Sequence, residues 1–194
     1  MIDFLQRIDR GLLLRINQMN APWLDECMWV LSSKWINFPL AILVLLLLKR
    51  QFSWKKTSLI FLLVLVIVTF ADSVSTHLFK DVFERLRPSH DPLLNESLRY
   101  YMITPGNPYL GGQFGFVSSH AANLAALFAF IFPYFKKYPL VVYGLGCYVF
   151  LVAYSRIYLG VHFPSDVVCG ALLGLFIGWV FRKHIFAKLL EKWD

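Results

Sequence analysis

Charge is what this chain has least of. Only 16% of its 194 residues are Asp, Glu, Lys or Arg, while 58% are hydrophobic and 17% aromatic. A soluble domain carries roughly 25% charged residues, so the composition, with a mean hydropathy of +0.57, excludes a soluble protein and indicates an integral membrane one. Cysteine is also sparse. Cys27, Cys147 and Cys169 are scattered through apolar stretches, without the spacing of a disulfide framework or a metal site, and read as small buried hydrophobes. No internal repeat or low-complexity segment occurs. The N-terminus alternates charged and apolar residues and lacks a clean apolar run with a small-residue cleavage site, so no cleavable leader is expected. The net charge of +7 does not point to nucleic acid, because the basic residues cluster at the ends of apolar segments, where they set topology and meet anionic headgroups.

Periodicity organises the rest. Phe4, Leu5, Ile8, Leu12, Ile16 and Met19 recur at helical spacing with Arg7, Arg10 and Arg15 between them, which predicts an amphipathic helix in the membrane interface. Pro22 opens a second helical piece. Phe38 to Leu48 is a solid apolar run too short to span alone, since a span takes about 20 residues; residues 22–48 form either one long broken span or a half-span followed by another. Further spans are expected over about 57–79, 119–135, 139–158 and 164–181. In the first of these Asp72, Thr76 and Lys80 share a face, and an Asp at that depth should point inward to a partner; His77 reads as an interfacial or packing residue. Residues 88–117 form the only long polar connection, with a short surface helix expected near Leu93–Tyr100 and aromatics suited to the headgroup level. The expected fold is an all-α polytopic membrane helical bundle, with five to six transmembrane helices plus the N-terminal amphipathic interfacial helix, as a single domain over residues 1–194. The connections at 49–56 and 136–137 and the tail with Arg182, Lys183, Lys188 and Lys192 are basic. The positive-inside rule puts them in the cytoplasm and the 88–117 loop outside.

Chemistry concentrates in Ser155-Arg-Ile-Tyr-Leu-Gly-Val-His-Phe-Pro-Ser-Asp166. Pro164 suits a first helical position, so His162 lies at a helix N-terminus, where free N–H groups favour an anion. Asp166, four residues on, can hold the imidazole in one tautomer. Arg156 offers a donor fork suited to phosphate. The stretch fits a nucleophilic His beside an anion site, and it equally fits satisfied polar residues in a turn between helices. Two other clusters fall on the same membrane face: Lys80 with Arg87-Pro88, and Ser118-Ser119-His120 at a helix start.

In that order the three clusters resemble the motifs K-x6-R-P, P-S-G-H and S-R-x5-H-x3-D of the type 2 phosphatidic acid phosphatase family. The match covers residues 80–166 and departs only where Val117 stands for Pro and Ser119 for Gly. The resemblance implies His162 as the nucleophile, Asp166 as its orienter and His120 as general acid and then base. It implies Lys80, Arg87, Arg156, Ser118 and Ser119 as the phosphate cradle, with no metal or other cofactor. Arg85 and Glu84 read as a solvated helix end, and Arg99 as a contact to a headgroup or a second phosphate. The resemblance implies a lipid phosphate substrate met at the outer face of a bacterial inner membrane. Undecaprenyl diphosphate leads, and phosphatidylglycerol phosphate, phosphatidic acid and lipid A compete. A phosphotransferase and a transporter or scaffold are the rival classes. The vanadium-dependent haloperoxidases share the cradle but are soluble. Oligomeric state is not legible.

Overall fold

The computed structural model describes residues 2–19 and 21–186; Lys188 and Lys192, counted in the basic tail, lie outside the described residues. Helix α1 (Ile2–Asn17) is amphipathic in an unusual sense. Asp9, Leu13 and Asn17, four residues apart, are buried, whereas Phe4, Leu5, Ile8 and Leu12 are exposed. The buried stripe packs on the last helices of the bundle. There Asn17 donates to the carbonyls of Tyr158 and Arg99, at 2.8 Å each, and accepts from Arg99 N–H at 2.8 Å. Gln6, Arg7 and Arg15 are exposed beside these apolar residues, so the outer face is mixed.

Helix α2 (Pro22–Ser32) starts on a proline, and α3 (Asn37–Lys49) follows after a bend of 59°. Helix α4 (Trp54–Val74) is capped by Ser53, whose Oγ accepts from Lys56 N–H. It runs on through a π-helical turn, Ser75–Lys80, and a last turn α5 (Asp81–Phe83), ending at Glu84 in the left-handed region, φ 45°. At 1.5 Å per residue this 30-residue rod is about 45 Å long, more than the hydrocarbon thickness, so its C-terminal end reaches headgroup level. Helices α6 (Ser119–Ile131), α7 (Pro139–Tyr158) and α8 (Pro164–Val180) complete the bundle, α8 continuing to Phe186 as a second π-helical turn.

Among the described residues three helices are long and apolar enough to cross a membrane, Trp54–Phe83, Pro139–Tyr158 and Pro164–Phe186; α2 and α3 together pass as a fourth, and Ser119–Phe135 is apolar but shorter. Leu43, Leu62, Leu65, Phe150, Leu172 and Phe176 stay exposed, the arrangement expected when the surrounding solvent is hydrocarbon. The 88–117 connection differs from expectation. In place of a surface helix it has two 3-10 turns, Pro88–His90 and Asn95–Ser97, and it adds a small antiparallel pair, β1 (Met102–Thr104) with β2 (Asn107–Pro108).

The closest helix contact joins α6 to α8. Gly170, Gly174 and Gly178 face the backbone of Ser118, Ala122 and Ala126, and a Cβ at Gly174 would collide with the Ala122 carbonyl. Small residues four apart on both helices allow this approach. Gly174→Ala is expected to destabilise by about 1–3 kcal/mol and to lower activity, because α6 and α8 each carry part of the site. A melting temperature unchanged in detergent would contradict this packing.

Candidate active site

Antiparallel helices bring the three motifs to one end of the bundle: Lys80 from the end of α4, Ser118 to His120 from the start of α6, Arg156 from the end of α7, and His162 and Asp166 around the start of α8. The turn between α7 and α8 is closed by Gly160, φ 71°, and by N–H groups of Val161 and His162 that both donate to Arg156 O at 3.2 Å. Ser118 N–H donates to Asp166 O at 3.0 Å, which joins the second motif to the third.

His162 is wholly buried. Its Nδ1 lies 3.5 Å from Asp166 Oδ2, a little beyond hydrogen-bond reach, with the carboxylate on the side that selects the tautomer. Asp166 is itself held: Oδ2 accepts from Phe163 N–H at 3.0 Å and Oδ1 from Arg85 Nη1 at 2.7 Å. Burial, and then the charges of Arg87, Arg156, His120 and Lys80, hold the His162 imidazole well below its usual range. It is therefore neutral at physiological pH, with a lone pair available.

The cations are locked in place. Lys80 donates to Ser119 Oγ. Ser119 and Ser75 hydroxyls are 2.7 Å apart, and Ser75 Oγ donates to Asp72 O at 2.8 Å, so the Ser119 proton points to Ser75 and a lone pair to the ammonium. Arg87 donates to Phe114 O (3.1 Å) and Val161 O (3.3 Å), and its guanidinium passes so close to Gly111, φ 71°, that a Cβ there would lie 2.9 Å from Nη1. Burial and the neighbouring Arg156 push Arg87 down to about 10, still protonated at neutral pH. Arg156 donates to Ser32 Oγ of α2 and, at 3.0 Å, to Tyr109 OH. Tyr109 in turn packs edge-on against Trp29, on which Tyr101 is stacked.

A cavity of about 680 Å³ opens on this end. Lys80, Arg87, Ser119, His120 and His162 line its polar end, and Leu40, Val44, Leu48, Phe61, Leu65 and Val68 its apolar end. Between them stands a polar rung, in which Asn123 Nδ2 donates to Asp72 Oδ1 at 3.1 Å; Asp72 thus has the neighbouring-helix partner expected of it. Ser118, Arg156 and Asp166 are buried behind the wall and do not line the cavity. Among the described residues, the buried polar atoms without a hydrogen-bond partner include Ser118 Oγ, Arg156 Nε and both ring nitrogens of His162. Each such atom costs about 1–3 kcal/mol unless a ligand satisfies it; others, such as Thr57 Oγ1 and Tyr134 OH, lie away from the motifs, but the four at the motifs fit a cradle built around an anion.

Two arginines have partners that their sequence readings did not include. Arg85 is not a solvated helix end. It donates to Asp166, to Ser165 Oγ (2.7 Å) and to Asp9 Oδ2 (2.7 Å), and its guanidinium stacks 4.2 Å from the Phe163 ring. The clue in the sequence is Pro88, which biases the preceding residue to extended backbone. The segment pairs with residues 113–115, and its period of two turns Arg85 and Arg87 to one side. The Arg99 side chain keeps 37% exposure. It pairs with Asp25 of α2, and that hydrogen bond raises its titration range further. His77 is exposed, with Nδ1 3.0 Å from Asp81.

Residues 55–189 match the model of the PAP2 superfamily. The chain is 36% identical to a lipid A 4'-phosphatase of Bacteroides thetaiotaomicron, over 93% of this chain and 78% of that one. It is 30% identical to phosphatidylglycerophosphatase B of Bacillus subtilis, over 89% and 81%. Among solved structures it superposes with a TM-score of 0.68 on the transmembrane PAP2 type phosphatidylglycerolphosphate phosphatase from Bacillus subtilis, at 25% identity over 95% of this chain and 87% of that one. The corresponding values for Aquifex aeolicus LpxE are 0.61, 27%, 90% and 94%. Likeness of sequence and fold thus extends well beyond the three motifs, and the chain belongs to the PAP2 superfamily as a membrane lipid phosphatase.

Proposed function

We propose that this protein hydrolyses the phosphomonoester of a glycolipid of the lipid A type, through a phosphohistidine on His162. The observation that carries the reading is the cavity, which joins a cationic, histidine-bearing end to an apolar channel across the Asp72–Asn123 rung. A phosphate can sit at headgroup level while acyl chains follow the channel, and the rung offers hydrogen bonds to sugar hydroxyls. Undecaprenyl diphosphate, the leading expectation from sequence, fits less well. A second phosphate needs further cations, and the nearby Arg85 and Arg99 are each committed to carboxylates. Similarity to two lipid A 4'-phosphatases, at 36% and 32% identity, points the same way. Phosphatidylglycerol phosphate is the second reading, favoured by the Bacillus subtilis relative.

In this reading His162 Nε2 attacks phosphorus while the P–O bond to the lipid breaks, and His120 gives the leaving oxygen its proton. His120 then takes a proton from water, whose oxygen displaces His162 and frees inorganic phosphate. Lys80 and Arg87 neutralise the equatorial oxygens from the cavity wall, and Arg156 adds its charge and its unpaired Nε–H from directly behind it, so no metal is required. The bent α2–α3 pair, α4, α6, α7 and α8 supply five spans, with α1 in the interface. Lys49, Arg50, Lys55, Lys56, Lys136, Lys137, Arg182 and Lys183 lie at helix ends opposite the site, which supports a periplasmic active site in the inner membrane. Arg7, Arg10 and Arg15 of α1 fall on the site end, and Arg10 is paired with Asp91 at 3.3 Å.

The test is phosphate release in detergent with EDTA present. A lipid A 4'-phosphate, phosphatidylglycerol phosphate, phosphatidic acid and undecaprenyl diphosphate are compared, with His162→Ala as blank. The expected ranking puts the lipid A phosphate first and the diphosphate last, with EDTA without effect. A preference for undecaprenyl diphosphate would overturn the substrate assignment, and loss of activity in EDTA the metal-free mechanism.

A further inference from the structure

We propose that Asp9 of α1 is a positioning residue for phosphoryl transfer, acting through Arg85 on Asp166 and so on His162. The inference rests on the roles of His162 and Asp166 given above. One guanidinium bridges two carboxylates from separate elements: Arg85 Nη2 donates to Asp9 Oδ2 and Arg85 Nη1 to Asp166 Oδ1, each at 2.7 Å. Asp9 also accepts from the Ser165 N–H (2.8 Å) and from the Ser165 hydroxyl. It therefore grips the first turn of α8 next to the orienting carboxylate. Asp9 is 7% exposed and Asp166 fully buried. A buried aspartate is costly unless paired, and every partner Asp9 has among the described residues belongs to this relay.

The division of labour follows from geometry. Asp166 has two oxygens; one is held by Arg85 and the other faces Nδ1 of His162. Without Asp9, Arg85 would keep Asp166, Ser165 Oγ and the Phe163 ring on one side only, with Nη2 unanchored. Fixed at its other nitrogen by Asp9, it holds the carboxylate plane, and with it the line from Asp166 through the imidazole to phosphorus. Outer partners that orient the ligands of a metal site change activity by about 10–100-fold when removed, and the same scale is expected for partners that orient a nucleophilic imidazole.

Asp9→Asn, Asp9→Glu, Arg85→Lys, Arg85→Gln and the Asp9→Asn/Arg85→Gln double variant test this, with kcat and KM measured on the preferred lipid phosphate. Asp9→Asn should lower kcat about 10–100-fold with KM within about two-fold, Asp9→Glu should recover part of the loss, and the double variant should be little worse than Arg85→Gln. Arg85→Lys should fall close to Arg85→Gln, because an ammonium lacks the fork that reaches both carboxylates. The acid limb of kcat/KM supplies a readout that loosened packing would leave in place. His162 must be neutral to attack, and it is faced by Lys80 from α4, Arg87 from the loop, His120 from α6, Arg156 from α7 and Asp166 from α8. Removing the negative charge of Asp9 should move the limb to lower pH, and removing the positive charge of Arg85 should move it to higher pH.

Wild-type kcat in Asp9→Asn, or an unmoved limb with additive losses in the double variant, overturns the relay. If Asp9→Asn does not fold, Arg85→Lys decides by the same kcat criterion. Retained turnover in His162→Ala would instead sink the nucleophile assignment, so the two failures are distinguishable.

Discussion

His162→Ala is expected to reduce phosphate release by about 10⁴-fold or more, the scale seen when a covalent nucleophile is removed. The magnitude follows from what nothing else at the site can do. His120 lines the same cavity, but it is assigned to the leaving oxygen, and Ser118 and Ser119 have no base placed to activate them. The loss should fall on kcat, with lipid binding largely kept, because Lys80, Arg87 and the apolar channel remain. The protein should still fold. The His162 ring nitrogens make no hydrogen bond to the protein, so the substitution removes packing and no bonded polar partner. The burial and surrounding cations that keep this imidazole neutral also predict activity that persists into mildly acidic pH, where an ordinary His would be protonated. Turnover within ten-fold of wild type would refute the assignment.

Arg156→Lys is expected to lower kcat by about 10²–10³-fold, comparable to losing one preorganised donor to transition-state charge. The guanidinium is fixed by Ser32 from α2 and Tyr109 from the long loop, and these leave its Nε–H without a partner in the protein. A lysine ammonium cannot meet two protein anchors while presenting a third donor in a set direction. Because Arg156 lies behind the cavity wall, its effect should appear as poorer catalysis more than weaker substrate capture, with KM changed by only a few-fold. Tyr109→Phe should reproduce the same pattern at smaller size. A variant as active as wild type would mean that Arg156 is structural.

The helices were legible where sequence carries its own punctuation. Pro139 and Pro164 open α7 and α8, and the S-R-x5-H-x3-D spacing alone brings His162 and Asp166 to one turn. The π-helical turn at Ser75–Lys80 was not legible, because a single wide turn leaves the apolar pattern nearly unchanged; yet it helps set where Lys80 arrives. Nor was the bend between α2 and α3, where an apolar run reads alike as one broken span or two. The relay was missed for a deeper reason. Asp9 and Arg85 are 76 residues apart, and an aspartate on an amphipathic helix looks solvated until the helix is known to turn that face inward. The Arg99 partner Asp25 was hidden in the same way, lying on a helix whose packing the sequence does not announce.

The central claim is the covalent intermediate on His162, and trapping it is the most direct test. The enzyme would be mixed with a lipid phosphate carrying radiolabelled phosphorus, quenched in base within the first turnovers, digested and mapped. Base-stable, acid-labile label is expected on the peptide holding His162, formed no more slowly than turnover and absent from His162→Ala. Label on another residue, or an unlabelled wild-type protein turning over substrate at full rate with slow intermediate breakdown established, would contradict it.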